Sequence, residues 1–258
     1  MSDHNALPPV FTIITVTYNA AATVERTLRS VAVQDLEGVE HLVIDGASTD
    51  GSLTLLQQAA DGGSIRLTSE PDRGLYDAMN KAIAKATGQY LLFLNAGDCL
   101  HDVHTLSHVA QLIAAQPRHP AVVYGDTDIV DMEGRFLRHR RLSPPERLSW
   151  KSFRQGMLVC HQAFFVRADV ARQETYDLDY RFSADFDWCI RVMKRAEGLG
   201  LPLLNAHAVI TDYLDGGLTT KNHRHSLIER LRIMARHYGW PQAVLMHLYF
   251  VGRAILKK

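Results

Sequence analysis

The sequence predicts an α/β protein built on a doubly wound, mostly parallel sheet. Strand-like and helix-like segments alternate through its first half, polar residues follow the ends of several strands, and 47% of the 258 residues are hydrophobic. A chain of this length and apolar content is expected to bury a sizeable core.

The first strand–helix–strand unit follows from residue types and their spacing. Residues 10–18, VFTIITVTY, are a β-branched run typical of a strand, and residues 40–45, EHLVID, indicate a second strand. Between them, apolar residues recur at helical spacing from 22 to 34, which predicts a helix.

The alternation continues through the next four segments. Residues 50–60 predict a helix, 64–70 a short strand, 75–87 a helix that Gly88 ends, and 89–95 a buried strand. Such alternation favours parallel strands joined by right-handed crossovers. In sheets of this kind, ligands bind beyond the carboxyl ends of the strands.

After residue 120 the pattern becomes that of a mixed sheet. We predict a hairpin around 132–134, a strand over 160–167 (CHQAFFVR) and a helix over 183–200, followed by two C-terminal helices. No linker rich in Pro, Gly or Ser separates these parts, so we predict one domain over residues 1–258. Its parts are residues 10–100, 101–220 and 221–258.

The cysteines and the N-terminus favour a cytoplasmic protein. Cys99, Cys160 and Cys189 are odd in number and widely spaced, which argues against a disulfide framework or a structural zinc site. The opening MSDHNALPPV lacks the basic and apolar regions of a signal peptide, and no apolar run reaches the ~18 residues of a spanning helix. We expect the cytoplasm, or the cytoplasmic face of the inner membrane.

Charge is distributed unevenly although the net charge is zero. From Lys221 onward there are eight Lys or Arg residues and one acid, Glu229. Residues 243–256 are mostly apolar. The segment 238–258 therefore predicts either peripheral contact with an anionic membrane, or a helix packed on the domain or on the second subunit of a homodimer. We expect no nucleic acid partner.

Polar residues end three of the predicted strands, all at their carboxyl ends. Residues 17–19 follow the first strand, Asp45 ends the second, and residues 95–98 follow the fourth. These groups are expected to converge on one edge of the sheet, where Asp45 can accept a hydrogen bond from a heterocycle or a ribose hydroxyl. Neither GxGxxG nor GxxxxGK[ST] occurs where it would matter, so a dinucleotide enzyme or a P-loop ATPase has no support.

A turn before the third helix adds candidate phosphate ligands. Asp72 and Arg73 precede Gly74, where the guanidinium and the free backbone N–H groups of the helix start can meet a phosphate. Farther along the helix, Tyr76, Asp77 and Asn80 are expected on the polar face, opposite the apolar one. Asp77 suits a solvated face, and Asn80 suits a solvated face and a pocket equally.

Three segments carry a family resemblance. In order, the chain contains TVTYN, VIDGASTDGS and SEPDRGLYDAMNKAIAKATGQYLLFLNAGD. Together they resemble the nucleotide-sugar-binding half of family 2 glycosyltransferases, inverting enzymes of GT-A fold, and most closely the branch with colanic-acid and glycolipid-assembly transferases. A weaker resemblance continues over residues 155–220. It implies that residues 10–100 bind the donor and that 101–220 face the acceptor.

The resemblance implies roles for individual residues. The base and ribose of a nucleotide-diphosphate sugar, of UDP or GDP type, would be surrounded by Thr17, Tyr18, Asn19 and Asp45. The pocket for the nucleotide and its sugar would also include Asp72, Arg73, Asn80 and Asn95. Asp98 would hold Mg²⁺ or Mn²⁺ and bridge it to the diphosphate.

The metal motif departs from the family pattern. Many relatives have Asp-x-Asp-Asp where this chain has NAGD at 95–98. One carboxylate, Asp98, suffices when the diphosphate supplies further oxygen ligands, so we expect metal and donor to bind together. His223 or His225 is a further candidate ligand. Residues 215–220, DGGLTT, are either an ordinary turn or a segment that closes over the diphosphate.

Inversion also requires a base beside the acceptor hydroxyl. By resemblance, the base in SADFDW is Asp185, with Asp187 as the alternative; either acid also suits a helix N-terminus. His161 and Gln162 would border the acceptor, although a hydrogen-bonded core histidine is an equal interpretation of His161.

Together these features predict a metal-dependent, inverting glycosyltransferase with a glycan or polyprenyl-linked acceptor, in surface polysaccharide or glycolipid biosynthesis. A sugar nucleotidyltransferase is disfavoured because TYNAAATVERT is not a glycine-rich, basic triphosphate loop. A non-catalytic nucleotide-sugar-binding protein is the other alternative, because the metal motif has lost carboxylates.

Overall fold

The computed structural model describes residues 9–216 and 223–255 and has the predicted α/β class. The strands are β1 (Phe11–Thr17), β2 (Glu40–Asp45), β3 (Arg66–Ser69), β4 (Tyr90–Phe93), β5 (Cys99–Leu100), β6 (Val122–Val130), β7 (Phe136–His139), β8 (Phe164–Arg167) and β9 (Leu203–Leu214). The α-helices are α1 (Val24–Ala32), α2 (Ser52–Asp61), α3 (Leu75–Lys85), α4 (Thr105–Ala114), α5 (Ala168–Ala171), α6 (Ala184–Gly198), α7 (His223–Tyr238) and α8 (Trp240–Ile255). Two 3-10 helices span Trp150–Gln155 and His161–Ala163.

The first half of the sheet is parallel and doubly wound, as predicted. Its strand order is β3-β2-β1-β4, and each of these neighbouring pairs is parallel. The chain winds outward from β1 to β3 and then returns to place β4 on the other side of β1. The crevice beyond the carboxyl ends of β1 and β4 is thus the switch point at which ligands bind in such sheets.

The second half of the sheet is mixed, also as predicted. The order continues as β4-β8-β6-β9-β5, with β8 antiparallel to both β4 and β6, and β6 parallel to β9. The predicted hairpin is the antiparallel pair β6–β7. Strand β9 had no counterpart in the sequence prediction, yet its carboxyl end lies beside β5, next to residues 95–98.

Apolar residues alternate between the two faces of the sheet, so each face has its own core. In β1, Ile14 and Val16 pack with α3 and α6, whereas Phe11 and Ile13 pack with α4. These four side chains are buried because strand side chains alternate and both faces of a parallel sheet are covered by helices. The strands that deliver the polar groups are therefore packed on both faces.

Three local predictions need correction. Residues 160–167 are not one strand, because His161–Ala163 form a 3-10 helix and only Phe164–Arg167 pair in the sheet. Helix α3 ends at Lys85 rather than at Gly88, since Ala86 is already extended with ψ 139°. Tyr76 is buried on α3 rather than lying on its polar face.

The C-terminal helices α7 and α8 pack against the domain through part of their surface. Ile233 and Met234 of α7 and Ala243 of α8 are buried in the core on the α6 side of the sheet. Within the described ranges, no helix combines the length and the apolar character needed to cross a bilayer.

Candidate active site

The candidate site occupies the switch point, where β1 and β4 end side by side. Asn19 follows β1, and Asn95 follows β4. Two residues from the second half of the chain join this edge. His161 contacts Asn95, and Asp185 contacts His161. Residues far apart in sequence thus form one continuous polar edge.

On the nucleotide side, Tyr18 and Asp72 approach each other across Gly46. A Cβ atom on Gly46 would lie 2.5 Å from Asp72 Oδ2 and 3.3 Å from Tyr18 Cδ2, so both side chains lie against the backbone at Gly46. Tyr18 is 65% exposed, which leaves its ring available to a ligand. The side chains predicted to contact the nucleotide at positions 18 and 72 are therefore brought together.

Asp45 has a different environment from the one expected. It is fully buried, and its carboxylate accepts hydrogen bonds from the backbone N–H of Ser48 and from the hydroxyls of Ser48 and Ser69. These bonds join the end of β2, the following loop and the end of β3. In this structure Asp45 shapes the pocket wall, and its contact with a base or ribose stays a prediction.

Residues 17–19 are tied to the loop after β2. The backbone N–H of Asn19 donates to Ser48 Oγ, and Asn19 Oδ1 accepts from the backbone N–H of Thr49. Asn19 has a φ of 51°, a left-handed conformation that asparagine tolerates well. Thr17 Oγ1 is buried and has no hydrogen-bond partner within the described residues.

The turn before α3 holds two predicted donor ligands. Asp72 accepts a hydrogen bond from the backbone N–H of Gly74, and the exposed Arg73 pairs with Asp77 at 3.1 Å. Asn80 lies farther along and uses both ends of its amide on the backbone of Tyr176. Arg73 is therefore accessible, whereas Asn80 connects α3 to the loop before α6.

Asp98 lies in the floor of the site. It is 4% exposed, and its carboxylate accepts hydrogen bonds from Gln162 Nε2 at 3.1 Å and from the backbone N–H of Leu214 at 3.0 Å. Burial raises the pKa of Asp98 to about 6, against the opposing effect of these hydrogen bonds. The predicted acceptor-side residue Gln162 thus contacts the predicted metal ligand.

The oxygen atoms at this point fit a hard divalent cation. Asn95 Oδ1 is buried without a hydrogen-bond partner among the described residues, and the Asp98 carboxylate follows three residues later. Mg²⁺ and Mn²⁺ prefer carboxylate and carbonyl oxygens, and Mg²⁺ commonly takes one or two protein carboxylates plus substrate phosphates. A buried, unpaired amide oxygen and a carboxylate three residues farther along the chain are the donor types that a metal completed by the diphosphate would use.

Asp185, the predicted base, has a partner on each of its carboxylate oxygens. One of its oxygens accepts from the Tyr76 hydroxyl at 3.1 Å, and the other lies 3.3 Å from His161 Nδ1. His161 Nε2 lies 3.5 Å from Asn95 Nδ2, which extends the network to the end of β4. Burial alone would raise the pKa of Asp185, but His161, Arg230 and Tyr76 outweigh it, so the pKa is lowered.

Asp187, the alternative base, has a structural environment. It is fully buried, pairs with Arg191 at 2.6 Å and lies 2.7 Å from His237 Nε2. These contacts connect α6 to α7. The geometry favours Asp185 because its side chain is only partly buried and lies in the polar edge of the site.

Three tyrosines of the site were missed as functional candidates by sequence reasoning. Tyr76 donates to Asp185, and its ring stacks on that of Tyr176, with 5.4 Å between centroids. Burial and the charges of Asp98 and Asp185 raise the pKa of Tyr213, which lies on β9. Tyr213 could be identified only from the pairing of β9 with β5, which brings this strand next to residues 95–98.

Part of the predicted site lies outside the described residues. Positions 217–222 are not described, so the closing role of DGGLTT stays a prediction. His225 stacks on Phe182, with 5.8 Å between ring centroids, and the side chain of His223 is outside the described set. The suggestion that either histidine joins the metal also stays a prediction.

Comparison of the chain with known proteins gives a consistent family assignment. The profile described as Glycosyl transferase family 2 matches residues 12–174. A PGL/p-HBAD biosynthesis glycosyltransferase from Mycobacterium bovis (strain BCG / Pasteur 1173P2) is 34% identical over 232 residues, which cover 88% of this chain and 86% of that protein.

Solved structures share the fold at low sequence identity. S. aureus TarS has a TM-score of 0.65 at 16% identity over 94% of this chain, and the chain spans only 43% of TarS. TarS 1–349 in complex with UDP-GlcNAc gives 0.63 at 15% identity, covering 94% of this chain and 72% of that one. The mannosyltransferase PcManGT from Pyrobaculum calidifontis, in complex with GDP-Man and Mn²⁺, gives 0.60 at 18%, covering 98% and 84%.

The low identities to solved structures support the fold alone. The family profile and the mycobacterial relative also support membership of the family. The profile spans more than half of the chain, and the relative spans most of both proteins. The chain therefore belongs to glycosyl transferase family 2 and is a glycosyltransferase of GT-A fold.

Proposed function

We propose that the chain is an inverting glycosyltransferase that moves a sugar from a nucleotide-diphosphate sugar to a hydroxyl group of a glycan or lipid-linked acceptor. The observation that carries this proposal is the placement of Asp185. Its carboxylate is held by Tyr76 and His161 and lies in the same network as Asn95, at the end of β4. The proposed base would thus lie beside the edge that we propose for the diphosphate.

The chemistry is a single displacement at the anomeric carbon. The acceptor oxygen forms the new bond to this carbon, the bond to the diphosphate breaks, and the acceptor proton passes to Asp185. A base must be within hydrogen-bond reach of the acceptor hydroxyl as the bond forms. The lowered pKa of Asp185 keeps the carboxylate ionised at neutral pH, as a proton acceptor must be, and also makes it a weaker base than an ordinary carboxylate.

The partners of Asp185 are positioning residues in this proposal. The pKa of Tyr76 is raised well above its ordinary value by burial and by the charge of Asp185. The phenol therefore stays protonated, and its O–H donates a hydrogen bond to Asp185. His161 orients the other carboxylate oxygen. Gln162 extends from the adjacent position to Asp98, so one 3-10 helix connects the base to the metal edge.

Asp98 and Asn95 would hold the divalent cation, Mg²⁺ or Mn²⁺, on the diphosphate side. When bound, such a cation neutralises the charge that develops on the leaving diphosphate. Arg73 is the protein cation that we assign to the same charge, because it is exposed and, among the described residues, forms a salt bridge with Asp77 alone. Tyr18 and Asp72 would flank the nucleotide, with Thr17, Asn19, Asp45 and Asn80 supporting the pocket wall.

The donor class is supported by structural neighbours that carry both nucleotide types. TarS 1–349 is in complex with UDP-GlcNAc, and PcManGT is in complex with GDP-Man and Mn²⁺. We propose a UDP- or GDP-sugar for this chain. A thermal-shift panel of UDP-, GDP- and dTDP-sugars with and without Mn²⁺ selects among them, because a ligand that binds the native state raises the melting temperature.

The acceptor class is supported by the mycobacterial relative, whose name refers to PGL/p-HBAD biosynthesis. We propose a glycolipid or polyprenyl-linked acceptor for this chain, used in the cytoplasm at the inner face of the membrane. The exposed apolar face of α8, formed by Trp240, Val244, Leu245, Leu248 and Tyr249, supports a peripheral membrane contact.

The decisive experiment replaces the proposed base. In Asp185→Asn the amide keeps the shape of the side chain but takes no proton, so kcat should fall by about 100- to 10,000-fold. Donor affinity, measured by calorimetry, should stay within about twofold, because Asp185 faces the acceptor. Turnover is followed as release of nucleoside diphosphate from the selected UDP- or GDP-sugar, and the anomer of the product by NMR.

Asp187→Asn is the matched control. Loss of the contacts with Arg191 and His237 should lower the melting temperature while kcat of the folded protein stays within about tenfold of wild type, since no proton transfer is affected. Full activity of Asp185→Asn, or a retained anomeric configuration, would remove the proposed mechanism. Absence of turnover in wild type together with donor binding would favour the non-catalytic alternative, and formation of a nucleotide sugar from a triphosphate would favour the nucleotidyltransferase.

A further inference from the structure

We propose that the chain has a second divalent-metal site, for Zn²⁺ or a similar transition-metal ion, on the face of the sheet opposite the candidate active site. His101, Asp128 and Asp212 form this cluster, which we call the far-face cluster. One ligand atom from each residue lies within 4.8 Å of the others. His139 lies at the rim, with its Nδ1 2.8 Å from Asp128 Oδ1.

The sheet register brings the two carboxylates together. Asp128 of β6 and Asp212 of β9 are direct neighbours on adjacent parallel strands. His101 follows β5, which is antiparallel to β9, and its Nδ1 lies 2.7 Å from Asp212 Oδ1. Three sequence segments therefore converge on one point, although they span more than a hundred residues.

Alternation along β9 separates this cluster from the active site. Thr211 and Tyr213 flank Asp212, so their side chains leave the strand on the other face. Thr211 donates a hydrogen bond to the backbone carbonyl of Gln162, whose side chain contacts Asp98. Asp212 and its neighbours thus lie behind the active-site wall rather than within it.

Two adjacent carboxylates need a positive charge between them. Like charges on neighbouring strands repel, and the repulsion is stronger at a partly buried position than in water. Asp128 is 6% exposed, and a third acid, Asp126, lies close enough for its charge to be felt. A dication held between the two carboxylates would offset this repulsion.

The donor atoms indicate which class of metal fits. Imidazole nitrogen combined with carboxylate oxygen suits Zn²⁺, Co²⁺ and related ions, whereas Mg²⁺ and Ca²⁺ prefer oxygen-only sites. A metal at this point would connect the segment after β5 to β6 and β9. Asp98 immediately precedes β5, and Leu214, which donates to Asp98, lies two residues beyond Asp212. We therefore assign the ion a structural role in holding the frame of Asp98.

The test uses Zn²⁺ and Co²⁺ alone, on the full chain without nucleotide. Calorimetry should detect one Zn²⁺ site in wild type, and Co²⁺ should give the intense visible absorption of a low-coordinate site. His101→Ala and Asp212→Asn should each weaken Zn²⁺ binding by about 100-fold or more, since even outer-sphere partners of a metal are worth 10- to 100-fold.

Two control variants separate this site from other histidines and from the active site. His104→Ala removes an exposed imidazole that also pairs with a carboxylate, Asp35, at 2.6 Å, and should leave Zn²⁺ affinity unchanged. Asp98→Asn should also leave it unchanged, because the active-site metal is expected to need the donor.

Each other outcome overturns the proposal. The proposal is wrong if folded wild type does not bind Zn²⁺, or if His101→Ala and Asp212→Asn bind it as tightly as wild type. It is also wrong if Asp98→Asn loses binding. A thiolate-to-cobalt charge-transfer band would contradict it too, because that band would place the ion on a cysteine. His101 is exposed, so His101→Ala is expected to fold even where Asp212→Asn does not, and circular dichroism checks both variants.

Discussion

Asp98 has surroundings that oppose its own charge. It is nearly fully buried, and burial raises the pKa of its carboxyl group to about 6 even though Gln162 and Leu214 donate hydrogen bonds to it. A divalent cation reverses this preference, because it favours the ionised carboxylate. A carboxylate of this kind is suited to a metal that arrives with its substrate, as the loss of the other motif acids also suggests.

The raised pKa makes a prediction about stability and pH. Between about pH 4 and 6 the folded state keeps a proton on Asp98 that the unfolded chain releases, so rising pH lowers the free energy of unfolding. Asparagine does not titrate. The free energy of unfolding of wild type minus that of Asp98→Asn should therefore fall by about 2 kcal/mol from pH 4 to pH 7.

Urea denaturation of both proteins at a series of pH values measures this difference. If the difference in free energy of unfolding is constant with pH, the pKa of Asp98 is the same in the folded and unfolded states, and the carboxylate is accessible to water in solution. Addition of donor and Mn²⁺ at pH 7 should restore wild-type stability relative to Asp98→Asn, because the variant lacks the proposed metal ligand.

Asp45 shows what residue patterns predict and what they miss. Its position at a strand end follows from the sequence and is confirmed by β2. Its partners do not follow, because Ser69 lies on another strand and only the fold brings that hydroxyl to the carboxylate. The same limit applies to Asp185, whose contacts Tyr76 and His161 come from two distant segments.

At the scale of elements, the fully buried strands could be predicted from their apolar runs, whereas the half-buried strand β9 could not. β1, β2 and β4 are apolar runs because helices cover both of their faces, and the sequence located all three. β9 is mostly half-buried, with His207 at a φ of 51°, so it has neither a continuous apolar run nor strict alternation. Its role beside the active site could not be inferred without the pairing with β5 and β6.

The connection between α3 and β4 gives a prediction at this scale. A Cβ on Gly88 would lie 2.5 Å from the backbone nitrogen of Thr12, and the N–H of Gly88 donates to the Thr12 hydroxyl. Glycine is therefore needed for close approach to β1, not to end the helix. Gly88→Ala should lower the free energy of unfolding by about 2–3 kcal/mol, because backbone atoms must move to accept the methyl group.

Gly198→Ala is the matched control for this substitution. A Cβ there would meet nothing within 4 Å, and the residue lies at the end of α6, so alanine should be neutral or stabilise by up to about 1 kcal/mol. Denaturant unfolding of both variants gives the comparison. Equal free energies of unfolding for the two variants would mean that the turn at Gly88 moves away from β1 without loss of stability.

At the scale of the whole molecule, the fold class was predictable because alternating strands and helices leave few topologies. The order β3-β2-β1-β4 fixes the switch point, and every residue predicted from strand ends lies along that edge. The division into donor and acceptor halves remains a prediction. The C-terminal helices were predicted as elements, but their two apolar faces became visible only in the packed structure.

Helix α8 has one apolar face in the core and another exposed. Ala243 is buried and Phe250 packs against the core, whereas Leu245 and Leu248 are 61% and 67% exposed. Because i to i+4 spacing repeats along the exposed face, its apolar side chains form one stripe. A contiguous stripe of this kind favours an interface, and the basic C-terminal segment makes an anionic bilayer the partner that we predict.

Charge placed on this stripe should therefore abolish membrane binding without unfolding the core. We expect wild type to float with phosphatidylglycerol vesicles and not with phosphatidylcholine vesicles, and Leu245→Glu with Leu248→Glu to stay at the bottom of the gradient. Leu137→Glu, at an exposed apolar residue of β7, is the control and should float like wild type. Unchanged flotation of the double variant would contradict the membrane contact. A wild-type dimer that the same variant dissociates in sedimentation would instead assign the stripe to a second subunit.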